Sequence, residues 1–208
     1  MHSLLRVAAA AVLLVPFAGC MPGFQLIHRE DVDWLLELLD PPEGRIEVGE
    51  RSIVILPFTT SEILNRFPDA EREIGAAVTA HLHGRRPDIR FVRAATVYEW
   101  KARTAGWQSM PTPEIGKALK ADIVIEVHVT EFRVRGRSDR NVLQGVLTAE
   151  VKVTDVSDGK SLWRLGKATF REPRHPVTTF DATAEAIRVK TMARFATEFA
   201  NVFYHRFE

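Results

Sequence analysis

Cysteine is nearly absent. Cys20 is the only one in 208 residues, so there is no second thiol for a disulfide, and stability must come from a buried core. An excess of one charge is missing too: 28 Lys and Arg stand against 27 Asp and Glu, a formal net charge of +1, which removes the electrostatic signature of a nucleic-acid binder. After Cys20 no apolar run is long enough for a transmembrane helix. No internal repeat, low-complexity tract or Pro/Gly linker divides the chain. The roughly 190 residues after the cysteine fit one domain, able to bury about 70% of its unfolded surface.

What is present begins at the amino terminus. A short polar start with one positive charge, Arg6, leads into an unbroken apolar run from Val7 to Phe17, then the small pair Ala18-Gly19, then Cys20. Charged, apolar and small-residue regions in that order make a secretory signal over residues 1–19. The apolar run is about half of the roughly 20 residues a permanent span requires. Ala18-Gly19-Cys20 resembles the lipobox of bacterial lipoproteins, with Phe17 where that motif usually has Leu. The resemblance implies cleavage between Gly19 and Cys20, lipidation of the Cys20 thiol and acylation of the new amino group. The alternative is an ordinary signal with an incidental cysteine. Met21, in place of the Asp that retains some lipoproteins in the inner membrane, leans toward the outer one.

Residues 20–50 form a neck. Val32, Leu35, Leu36 and Leu39 recur at helical spacing until Pro41-Pro42 ends the helix. Its acids, Glu30, Asp31, Asp33, Glu37 and Asp40, are the wrong sign for a helix on a bilayer surface, which favours docking on the domain. About ten residues separate Cys20 from this helix and reach at most roughly 35 Å. The domain is therefore expected to stay near its membrane.

The globular domain is expected over 51–208. Ser52 to Phe58 reads as a strand buried on both faces and stopped by Pro57. A helix follows from about Ala70 to His83, with Gly84 as its stop, then a strand over Asp88 to Val92. Thr96 and Glu99 fit a capping box that opens a short helix. A second starts at Thr112-Pro113, with Ile115, Ala118 and Leu119 inward. Period two then takes over. Ile123, Ile125, Val127 and Val129 alternate with Val124, Glu126, His128 and Thr130, and Leu147, Ala149, Val151 and Val153 with Thr148, Glu150, Lys152 and Thr154. A turn around Gly136 to Asn141 joins these two strands. Asp158-Gly159 makes a hairpin to Leu162–Phe170, closed by Pro173 and Pro176. A long helix from about Asp181 to Arg206 carries Ile187, Met192, Phe195, Phe199, Val202 and Phe203 as an apolar stripe. The expected class is α/β (α+β): a mixed sheet of about five strands with helices packed on it, in the order βαβααβββα.

Leu56-Pro57-Phe58, the run Ala121-Asp122-Ile123-Val124-Ile125 and the hairpin Val153 to Trp163 resemble one superfamily across residues 51–204. It contains the lipoprotein activators of penicillin-binding proteins, the curli-secretion lipoprotein and the amino-terminal domain of the Tol-Pal propeller protein. The resemblance implies a periplasm-facing protein that works through other proteins, with no cofactor and no catalytic residue to carry over. Two members' roles fit poorly. Activators of peptidoglycan synthases hang on a long tether, and this neck is short. Curli-type pores add spanning strands, and the charged tip Arg133-Val134-Arg135-Gly136-Arg137 is unsuited to lipid.

The chemistry-bearing residues leave alternatives open. Arg133, Arg135 and Arg137 at period two offer a seat for an anion or an acidic partner, or simply a solvated hairpin that blunts a sheet edge. Glu126 and His128 share a strand face, as an acid-base or metal pair without a third ligand, or as a polar sheet face. His81 and His83 point to different sides. Ser61, Ser109 and Ser161 lack a nucleophile-elbow context. Trp34, Trp100, Trp107 and Trp163 read as core or core edge. The leading expectation is a non-enzymatic, lipid-anchored envelope adaptor, regulator or assembly factor, with a protein partner in or beside the same bilayer. A carrier or sensor that binds a small amphiphile between sheet and helix comes second, and a hydrolase third.

Overall fold

The computed structural model describes residues 48–135, 142–178 and 182–206. The signal, Cys20, the neck helix and the turn holding Arg137 lie outside the described residues.

The elements are β1 (Ser52–Thr59), α1 (Ser61–Arg66), α2 (Ala70–Arg85), β2 (Arg90–Phe91), α3 (Ala94–Arg103), a 3-10 turn (Trp107–Ser109), α4 (Thr112–Ala118), β3 (Ile123–Arg135), β4 (Val142–Asp155), β5 (Ser161–Thr178) and α5 (Ala184–Arg206). The strands form one mixed five-stranded sheet in the order β2-β1-β3-β4-β5. β1 runs parallel to β2 and β3, whereas β3, β4 and β5 form an antiparallel meander. This is the expected α+β class with its long carboxy-terminal helix.

Period two divides the sheet's side chains between two cores. On one face Ile53, Ile55, Ile125, Val127, Leu147 and Val151 meet Ile74, Val78 and Leu82 of α2 and Phe195, Phe199 and Phe203 of α5, all at 2% exposure or less. On the other face Val54, Leu56 and Val124 pack under Val97 of α3, Trp107, and Ile115 and Leu119 around α4. Helix α5 starts where Thr183 Oγ1 accepts the Ala186 N–H at 3.1 Å, as an N-cap does. It lies so close to β4 that a Cβ on Gly145 would overlap the Thr191 side chain. Gly159 takes φ of +74° in the β4–β5 turn, as the Asp-Gly pair requires.

Several boundaries differ from the sequence reading. Pro57 does not stop its strand. In β1 the Ile53 carbonyl accepts the Val92 N–H on the β2 side, while the Ser52 carbonyl accepts the Asp122 N–H on the β3 side, each at 2.8 Å. Pro57 shares the orientation of Ile53, and β2 pairs with only Ser52 and Ile53. Its missing N–H therefore faces an open edge and removes no ladder bond, and pairing with β3 continues to Thr59.

The capping box is absent. Helix α3 begins three residues earlier, at Ala94 after Arg93, without a side-chain cap, and buries Val97 in its first turn. Helix α2 passes through Gly84 to Arg85, closed by the Arg86 N–H on the Leu82 carbonyl at 3.0 Å. The strand expected over Asp88 to Val92 shrinks to Arg90–Phe91. Ala118 is exposed, and Gly116 faces the sheet in its place, where a Cβ would overlap Val156. β5 continues to Thr178 because Pro173 and Pro176 fall in the register shift between the pairs Gly145–Glu172 and Leu143–Val177, where they remove no ladder bond.

Candidate functional site

Among the described residues, the helices leave two parts of the sheet uncovered. One is the far half of the second face. The register lays Glu126, Lys152 and Arg164 in a row across β3, β4 and β5, then His128 beside Glu150, then Glu131, Thr148 and Thr169, then Arg133, Val146 and Arg171. One face of an antiparallel meander is commonly solvated in this way. Here Glu150, Arg164, Thr169 and Arg171 are exposed, while Glu126 and Thr148 are buried beneath their neighbours.

Glu126 is the strained member of this lattice. Its Oε1 lies 3.8 Å from His128 Nε2 and its Oε2 3.5 Å from Lys152 Nζ, and Oε2 has no hydrogen bond. Burial alone would raise the carboxyl. Contact with His128 and the charge of Lys152 outweigh that and hold it below its ordinary value of 4.5. A carboxyl depressed by folding adds stability above its unfolded value, and that stability disappears as pH falls through the folded value. Relative to Glu126→Gln, the wild-type chain should therefore weaken below about pH 4.5; urea midpoints from pH 7 to pH 3 measure this. The Phe58 ring stacks on the other side of His128 at 4.5 Å and 4°.

The other uncovered part is the edge of β1 beyond β2. There the Pro57 carbonyl accepts from Lys101 Nζ, and the Thr59 N–H donates to Glu71 Oε1 at 2.9 Å. Lys101 and Glu71 then join at 2.9 Å. Together they supply the N–H and C=O that a further strand would have brought. The Lys101 side chain is 8% exposed, and Nζ sits 4.2 Å from the Trp107 ring centroid. Burial pushes the ammonium down from its ordinary 10.5, opposed by the Glu71 charge and hydrogen bond. A shallow cleft runs over this edge between α2 and α3, lined by Ile55, Pro57, Gly75, Ala94, Val97 and Tyr98. Tyr98, 46% exposed, stands at its rim as one of two large exposed apolar side chains among the described residues.

The structure separates the residues singled out from sequence. Glu126 and His128 do share a face, and among the described residues no three His, Cys, Asp or Glu side chains gather as a metal site. Arg133 Nε donates to Glu131 Oε1 at 2.7 Å. Arg135 is the last residue of β3, beyond a register shift, and Arg137 lies outside the described residues. His81 approaches Thr197, whereas His83 sets its edge toward Phe91. Trp107 and Trp163 are core and Trp100 is half-buried. Sequence reading overlooked Glu71 and Lys101. The only cue for Lys101 was its position next to Trp100 in an otherwise apolar helix face. Among the described residues no helix is long and apolar enough to cross a membrane.

The fold defines a class, a five-stranded mixed sheet with helices on both faces. No family model matches the chain, and no curated protein matches it in sequence. Among solved structures it is similar to the lipoprotein GNA1162 from Neisseria meningitidis, at 18% identity and a TM-score of 0.47, over 73% of this chain and 99% of that one. It is also similar to the PelC dodecamer from Paraburkholderia phytofirmans, at 17% identity and a TM-score of 0.43, over 74% and 89% of the two chains. The LpoB C-terminal domain from Salmonella enterica is similar at 11% identity and a TM-score of 0.30, over 66% and 92%.

Proposed function

We propose that this chain is a lipid-anchored, periplasm-facing envelope lipoprotein that works without catalysis, by contact with another envelope protein in or beside the same bilayer. The observation that carries this reading is Cys20, the sole cysteine, placed directly after an export-type apolar run and Ala18-Gly19. The cleft beside Tyr98 supports the contact role, since an exposed aromatic at a rim is the kind of side chain that anchors interfaces. Between α5 and the sheet the space is filled by Phe170, Phe195, Phe199 and Phe203, which favours the contact role over an amphiphile carrier. Met21 points to the outer membrane as the site of anchoring.

Crosslinking in intact cells tests the reading. A photoreactive residue at Tyr98 is expected to capture one envelope protein, and Cys20→Ala is expected to reduce that capture about ten-fold or more by removing the high local concentration that the anchor provides. A reagent at Tyr98 that captures nothing, with every envelope complex intact after deletion of the gene, would contradict it.

A further inference from the structure

The sheet's other edge is β5, and its cations run along it. Arg164, Lys167, Arg171 and Arg174 recur every three or four residues, and all four are exposed. At about 3.3 Å per residue the row is on the order of 30 Å long. Among the described residues no ion pair or hydrogen bond engages the charged groups of Arg164, Lys167 or Arg174, whereas Arg171 is already engaged. The register also sets Arg164 directly opposite Lys152, a like-charge pairing that is unfavourable without a nearby anion. Lys152 is drawn toward Glu126 at 3.5 Å, which leaves Arg164 uncompensated. The one acid within the row, Glu172, is held by Arg194 of α5 at 3.2 Å.

We propose that this basic row lies against an anionic lipid surface, the phosphate headgroups of the bilayer that holds the chain; the choice of lipid over other polyanions rests on reading Cys20 as an anchor. Near an anionic surface each Lys or Arg strengthens partitioning about five-fold, and the effect fades within a Debye length. Four cations bind weakly alone. On a domain already tethered they suffice to set its orientation. With β5 on the lipid, the cleft beside Tyr98 sits at the opposite edge of the sheet, open to the part of a neighbouring envelope protein that projects from the same bilayer. The competing explanation is that these cations only protect an edge strand from pairing.

The test uses residues 20–208 with Cys20→Ser, made without the signal and so without acyl chains, and measures co-sedimentation with vesicles. The probes are phosphatidylcholine alone and phosphatidylcholine with phosphatidylglycerol, at low and high salt. The chain is expected to bind only the anionic vesicles and to be released by salt. The variant R164Q/K167Q/R171Q/R174Q should lose ten-fold or more of that partitioning. A variant of equal net charge, R66Q/R103Q/K117Q/K120Q, should stay within about two-fold of the parent. If the β5 variant does not fold, K167Q/R174Q substitutes for it, with a loss of about 25-fold expected. Equal losses in both quadruple variants, or no loss in the β5 variant, would overturn the proposal. So would a β5 variant that self-associates while its partitioning is unchanged, which would leave edge protection as the role. Failure here leaves Cys20 acylation standing, since acylation is read on the native chain.

Discussion

Gly145→Ala is expected to destabilise the domain by about 3 kcal/mol, near the upper end for overpacking a core. Helix α5 is held to the sheet through an aromatic stripe with no slack: Phe195, Phe199 and Phe203 are each at most 1% exposed. At Gly145 the approach is closer than any side chain permits. A Cβ there would overlap Thr191 Oγ1, lie 2.9 Å from Thr191 Cβ and 3.1 Å from the Glu172 carbonyl. The helix cannot retreat locally, because Thr191 is fully buried and its hydroxyl donates to the Ile187 carbonyl at 2.7 Å. Adding Thr191→Ala removes the hydroxyl but keeps the Cβ, so G145A/T191A should recover about half the loss. Urea denaturation of the three variants measures this. Additive losses would show that α5 does not pack on β4 at this point.

Glu71→Ala is expected to cost about 3–5 kcal/mol, the range for breaking one half of a buried pair. Its carboxylate joins three elements, with Oε1 on the Thr59 N–H of β1 and Oε2 on Lys101 of α3, while Glu71 itself sits in the first turn of α2. Removing it leaves the Lys101 ammonium against Trp107 with no counter-charge. Lys101→Met in the same chain should return a large part of the stability, since the buried charge disappears with its partner. The pair also predicts a pH dependence. Burial holds Lys101 below its ordinary 10.5 and Glu71 opposes that shift, so Glu71→Ala lowers the folded value further. Between the folded and unfolded values the unfolded chain binds more protons, so stability rises with pH across that window. Glu71→Ala should therefore regain stability toward pH 10 relative to E71A/K101M, and a flat difference would place Lys101 in water.

How much of this was legible beforehand depended on whether a residue's role is local. Period two in β3 and β4 and the stripe of α5 follow from side-chain direction alone, and they led to the correct class and the long final helix. Pro57 misled because the effect of a missing N–H depends on which side of the strand has a neighbour, and β2 ends after Ile53. Thr96 and Glu99 match a capping box, but α3 starts upstream of both, at Ala94, with no side-chain cap. Helix α1 was overlooked because only Ile63 within it is buried, too little for a periodic signal. Lys101 and Glu71 are thirty residues apart, and nothing between them announces that together they complete the hydrogen bonds at the edge of β1. The balanced total of +1 likewise hides a local excess: acids crowd the neck, and cations line β5.

Cys20 is where the functional account is most exposed to test. The measurement is the intact mass of the native protein extracted from membranes, with its amino-terminal peptide sequenced. The account predicts a chain that begins at Cys20 and carries two or three acyl chains, enough for permanent attachment where one is marginal. It also predicts that Cys20→Ala appears in the soluble periplasmic fraction. A native chain that begins elsewhere with a free thiol, or a Cys20→Ala chain still membrane-bound after export, would contradict it.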